Sequence, residues 1–206
     1  MKGSQLITLD FLKAHDACAE GKREFKRVFP DGGEYQQVLD RCADEDRMDF
    51  AQWLMNVCGP SDDVRTFDDN VNEPDKNIAF AGTLYFKKGA NVKRILAGWG
   101  IEAGLGIEAG EGIKAGWGIE AGRSIEAGWD IEAGRSIKAG WGIEAGCGIE
   151  AGEGIEAGCG IEAGCGYGIF SGLAVKIADW PQFAVVTAKT KPDNLISGHW
   201  KELGSC

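Results

Sequence analysis

From Ile95 to Gly166 apolar and polar positions alternate within one six-residue unit, Ile-Glu-Ala-Gly-x-Gly, repeated twelve times without a slip. A fixed short period signals a stack of equivalent units rather than a globular core. Ile and Ala stand two apart, so they share one side of an extended strand while the Glu between them takes the other. The following Gly-x-Gly reads as a turn, because glycine reaches backbone conformations closed to other residues. Each unit is therefore a three-residue strand and a corner. The fold class predicted is mainly β, a β-solenoid with Glu on its outside.

The pattern before the repeat is different. Phe25, Val28 and Phe29, then Tyr35, Val38, Leu39 and Cys42, then Phe50, Trp53, Leu54 and Val57 recur at helical spacing, with breaks at Pro30-Asp31-Gly32-Gly33 and Gly59-Pro60. Residues 1–60 are thus expected to form a small α-helical module, with Asp16 as a candidate helix cap. Such a module buries little apolar area alone and is expected to lean on a neighbour or another subunit. Residues 61–77 read as an acidic linker. Counting from Asp68, the sixth position is Glu73 where a calcium loop needs glycine, and no Glu closes the twelfth. Residues 78–94 read as cap rungs, 95–166 as the regular solenoid, and 167–206 as further rungs (at Ile169 and Val175), a cap and a tail. Irregular ends suit a solenoid, since a bare terminal rung exposes unpaired backbone groups.

How many units make one coil is the open question, with 12 and 18 residues both possible. Triangular left-handed β-helices, the fold of the hexapeptide acyltransferases, use three hexads per coil, with a small residue two positions before the aliphatic one. Here that position holds residues such as Trp117, Arg123 and Glu153. A flat coil of 12 is therefore preferred. It aligns Trp117, Trp129 and Trp141 in one column and Glu108, Glu120, Glu132, Glu144 and Glu156 in one acidic row, and in-register stacks favour like residues above one another.

Charge sharpens this picture. The chain of 206 residues has a formal net charge of −10. The repeat carries eleven Glu and one Asp against two Lys and two Arg, which places −8 on the rod. Such a surface disfavours direct contact with nucleic acid or an anionic membrane and favours basic protein surfaces. An acidic row kept against its own repulsion suggests imitation of a phosphate backbone. The five glutamates are the candidate partner-binding residues. The three tryptophans are a candidate partner contact or homodimer seam.

No catalytic, cofactor or metal chemistry is expected. His15 and His199 stand far from each other and from Cys147, Cys159 and Cys165, so no tetrahedral ligand set forms in sequence. The Gly-Leu-Gly at 104–106 precedes no helix and is not a phosphate loop. Identical glutamates in identical surroundings do not make an acid/base pair. Seven cysteines, an odd number, without a secretory signal or an apolar run long enough to span a bilayer, point to reduced thiols in a cytoplasm.

The stretch from Phe11 to Gly21, then Phe29-Pro30, then Arg47-Met48-Asp49-Phe50-Ala51-Gln52-Trp53-Leu54, resembles a short helical module at the front of phage and prophage proteins. In many of these an Ile-Glu/Lys-Ala-Gly solenoid follows. The resemblance implies an anti-defence inhibitor of the anti-CRISPR or anti-restriction kind, acting in the cytoplasm of a bacterial host on a basic nucleic-acid-binding protein. The alternative is a structural spacer whose helical module or tail does the binding.

Overall fold

The computed structural model describes residues 5–164 and 166–203. Cys165 and Cys206 lie outside them. The repeat forms the β-solenoid expected from its alternation, and every unit places Ile and Ala inside and its middle residue outside. The inward isoleucines from Ile101 to Ile155 are at most 1% exposed.

The coil contains 18 residues, not the 12 preferred from the sequence. Ile119 pairs with Ile101 and Ile137, Ile125 with Ile107 and Ile143, and Ile131 with Ile113 and Ile149, all in parallel. Each coil therefore has three faces. The first runs from Val64–Phe67 through Ile101–Ala103 to His199–Glu202, eight strands in all. The second includes Ile107–Ala109, Ile125–Ala127, Ile143–Ala145 and Ile161–Ala163. The third includes Ile113–Ala115, Ile131–Ala133, Ile149–Ala151, Ile169–Ser171 and Leu195–Ser197. The long strand Ala90–Ala97 bends across the second and third faces and joins them into one sheet.

The reason for 18 lies in which residue of Gly-x-Gly is sterically confined. A Cβ added at Gly116, Gly134 or Gly152 would overlap the carbonyl oxygen of the glycine one coil earlier, at Gly98, Gly116 and Gly134. That first glycine is the crowded corner. The x side chain points away from the rod, so Trp, Arg and Glu fit there; Trp99, Trp117, Trp129 and Trp141 are all more than 40% exposed. The final position of the unit is also roomy, which is why Ser124, Asp130 and Ser136 can stand there.

Residues one coil apart complement one another at the corners. Trp99 and Trp117 stack at 4.6 Å. The Arg135 guanidinium lies 4.2 Å from the Trp117 ring centre, and its Nε reaches Glu153 at 2.6 Å. Arg123 covers Trp141, and Arg94, nearly two coils earlier, covers Trp129. Exposed cation–π contacts of this kind contribute about 0.5–1 kcal/mol each. The like-with-like columns of the 12-residue register are replaced by mixed ladders.

Residues 61–77, expected as a linker, instead carry the strand Val64–Phe67 and most of Val71–Phe80. Their apolar positions are sparse, but Phe67 stacks on Phe86 at 4.8 Å and Val71 enters the bore. At the other end, register resumes at Ile169 as expected. Val175 does not continue it; residues 172–184 leave the coil, including the short helix Trp180–Phe183. The expected tail folds back as two final strands, Leu195–Ser197 and His199–Glu202.

The N-terminal helices are α1 (Leu9–Ala14), α2 (Ala19–Val28), α3 (Tyr35–Asp44) and α4 (Met48–Cys58). Cys18, not Asp16, caps α2: its sulfur accepts from the Gly21 N–H at 3.3 Å, while Asp16 occupies a left-handed turn at φ 56°. The module leans on its own solenoid. Ala79, Ala81 and Leu96 belong to its apolar core, and Ala79 and Leu96 occupy the outward position that Glu holds in later coils. Gln36 clamps the contact by donating to the Ala79 carbonyl (2.9 Å) and accepting from the Ala81 N–H (3.0 Å).

Asp46 completes this junction, meeting Lys93 at 2.6 Å and the Asn77 amide at 2.9 Å. The Lys93 hydrogen bond, then that of Asn77, holds its carboxyl below the ordinary value of 3.8. A depressed folded value contributes stability that is present above the ordinary value and lost as pH falls through the lowered one. Melting followed from about pH 5 to about pH 2 should therefore show an acid-sensitive component. Asp46→Asn should remove that component and lower the melting temperature at neutral pH.

Candidate partner-binding face

Three corners and three faces distribute the outward side chains, and only one face is uniformly charged. On the second face, Asn91, Glu108, Glu126, Glu144 and Glu162 lie in register, one per coil. Four consecutive carboxylates are thus spaced by one strand separation, about 4.8 Å. The first face reads Tyr85, Glu102, Glu120, Lys138, Glu156, Thr187. The third reads Leu96, Lys114, Glu132, Glu150, Phe170. There Lys114 and Glu132 pair at 2.5 Å.

The expected acidic row does not exist as one row. Glu108 and Glu144 belong to the second face, Glu120 and Glu156 to the first, and Glu132 to the third. The members missed are Glu126 and Glu162, which the 12-residue register assigned to the opposite side. The tryptophan column is dispersed likewise. Trp117 stands at the corner between the third and first faces, Trp129 between the second and third, and Trp141 between the first and second. A single seam made of all three is therefore ruled out. Trp129 and Trp141 do flank the acidic face, one on each side, at 49% and 58% exposure.

A signal in the sequence could have found this arrangement. Several pairs 18 apart are complementary: Trp117 with Arg135, Arg123 with Trp141, Arg135 with Glu153, and Lys114 with Glu132. Like charges directly opposite one another are destabilising; Glu102–Glu120 and Glu132–Glu150 are single pairs of this kind on the other faces, but only the second face runs four carboxylates together. A rigid row of carboxylates with aromatic shoulders can bind a basic surface by charge and anchor on it by apolar contact.

Among the described residues, no group of three or more His, Cys, Asp or Glu side chains could hold a metal ion. Cys18, Cys42, Cys58, Cys147 and Cys159 are free thiols. No helix among those residues is long and apolar enough to cross a membrane.

Residues 1–58 match the family described as YdhT N-terminal domain. That span is the helical module, and the solenoid lies outside the match. No curated protein matches the chain, and no solved structure does.

Proposed function

We propose that this chain is a non-enzymatic binding protein whose second face occupies a basic, nucleic-acid-binding surface of another protein. The observation that carries this reading is the uninterrupted register of Glu108, Glu126, Glu144 and Glu162, retained against like-charge repulsion on one flat side of a rigid rod. The mimicry is of a charged rod rather than of atomic spacing, since a DNA strand presents one phosphate per about 3.4 Å. The resemblance to phage proteins makes a bacterial defence complex, such as a CRISPR effector in the host cytoplasm, the target class we favour.

The test compares two variants of equal charge. Replacing Glu108, Glu126, Glu144 and Glu162 together by Gln should weaken binding to the target recovered from a bacterial lysate by at least about tenfold and reduce its salt dependence. Replacing Glu102, Glu120, Glu150 and Glu156 together should change it by less than about threefold. Equal losses would mean that only total charge matters. If neither variant loses binding, the spacer reading takes over. One observation favours that second reading: the rod holds the helical module near one end and the exposed Leu173, Ile177 and Phe183 near the other.

A further inference from the structure

The helical module contains a cleft that its own folding does not require. It has a volume of about 580 Å³ and runs between α2 on one side and the α3–α4 pair on the other. Phe25, Val28, Phe29, Cys42, Phe50 and Trp53 form its walls. Of these only Phe25 is buried; the other five are half-buried and face the cleft. Close-packed interiors leave few voids larger than a water molecule, so a space this size between helices is a feature to be explained.

Charged pairs tie α2 across the opening. Arg27 of α2 reaches Glu45 at 3.4 Å, and Glu20 of α2 meets Arg47 at 2.9 Å. The Arg47 guanidinium also lies 3.6 Å from the Phe50 ring centre. These straps hold α2 over the cleft alongside Phe25, which is buried in the module's core. Glu24 pairs with Arg27 at 2.9 Å and Arg41 pairs with Glu45, while Asp16, also at the rim, makes no ion pair among the described residues. Burial in the wall pushes the Cys42 thiol up to about 11, so it stays neutral.

We propose that this cleft is a binding site for a neutral, apolar, ring-bearing small molecule. Its volume falls within the range of ligand pockets, and its walls are the aromatic and aliphatic kind that such pockets use. Four aromatic rings favour a ligand that can stack or meet them edge-on. The rim's arginines are all paired and Asp16 adds a carboxylate, so no cation is left to receive a fatty acid or other anion. The site lies within residues 1–58, so it is independent of the acidic face.

The full chain can be titrated with N-phenyl-1-naphthylamine, a neutral aromatic probe whose emission rises in apolar surroundings. Saturable uptake of one probe per chain is expected, with the anionic 8-anilinonaphthalene-1-sulfonate binding at least about tenfold more weakly. Val28→Phe, which fills the cleft from the outer wall of α2, should weaken the neutral probe at least about tenfold while leaving the circular dichroism unchanged. In the unaltered chain, bound probe should slow alkylation of Cys42 by N-ethylmaleimide and leave the exposed Cys159 unaffected. This second readout stands even if Val28→Phe fails to fold. Absence of saturable binding, equal affinity for the anionic probe, or Cys42 alkylation unchanged at saturation would each overturn the proposal.

Discussion

Replacing Gly134 by alanine is expected to break the solenoid, although alanine is the smallest side chain available. The new Cβ would overlap the Gly116 carbonyl oxygen one coil earlier. That oxygen belongs to backbone held by rung-to-rung bonds, including Gly134 N–H to the Ala115 carbonyl at 3.0 Å, and cannot retreat without moving the coil. The loss should be on the order of 4 kcal/mol or more, the range reserved for strain or overpacking that the structure cannot absorb. Gly142→Ser supplies the control. There a Cβ would stand 3.6 Å from the Gly160 carbonyl oxygen, an ordinary contact, and the cost should stay within about 1 kcal/mol. Denaturant unfolding of the two variants checks the pair. Equal stability would show that the first glycine of each corner is not the residue that confines the chain.

Removing residues 167–206 is expected to make the chain aggregate. This segment supplies the strand Ile169–Ser171, which covers Ile149–Ala151, and Val185–Ala188, which covers Ile155–Ala157. It also supplies Asn194, whose side-chain amide donates to the Ala163 carbonyl at 3.0 Å and closes the last strand of the second face. Without it, all three faces end in short, flat strands with open hydrogen-bonding groups and a bore lined by isoleucine. Such edges pair with other chains. Stacks stabilised by nearest-neighbour contacts also fray from an uncapped end. Light scattering and sedimentation of the truncated chain provide the measurement, and a soluble monomer would contradict the capping role.

Much of the solenoid was legible in the residues because its logic is local. Ile and Ala two apart with Glu between them leave one way to face inward, and no tertiary information alters that. The helical module was legible for the same reason, through its 3.6-residue periodicity. Leu96, an apolar residue in the outward slot that Glu or Lys fills in the eleven later units, is a signal that could have shown where the module docks. Residues 61–77 were harder to read, because a rung at the end of a stack buries only one side and can be acidic with few apolar positions.

The candidate site was legible in kind but not in membership. That a carboxylate row lies outside follows from alternation within each unit. Which carboxylates share a row depends on how many units close a coil, and a hexad repeat is compatible with more than one answer. Glu108 pairs with Glu126 rather than Glu120 because the chain completes three corners before returning over itself, a distance set by the backbone approach of Gly116 to Gly98 and of Gly134 to Gly116. Trp129 and Trp141 came to flank that row through the same closure, while Trp117 was carried to the far corner. Sequence alone determined the inside and outside of every strand of the regular repeat, since that choice is made within three residues. Tertiary structure decided which outside residues became neighbours, since contacts 18 residues apart exist only once the coil has closed.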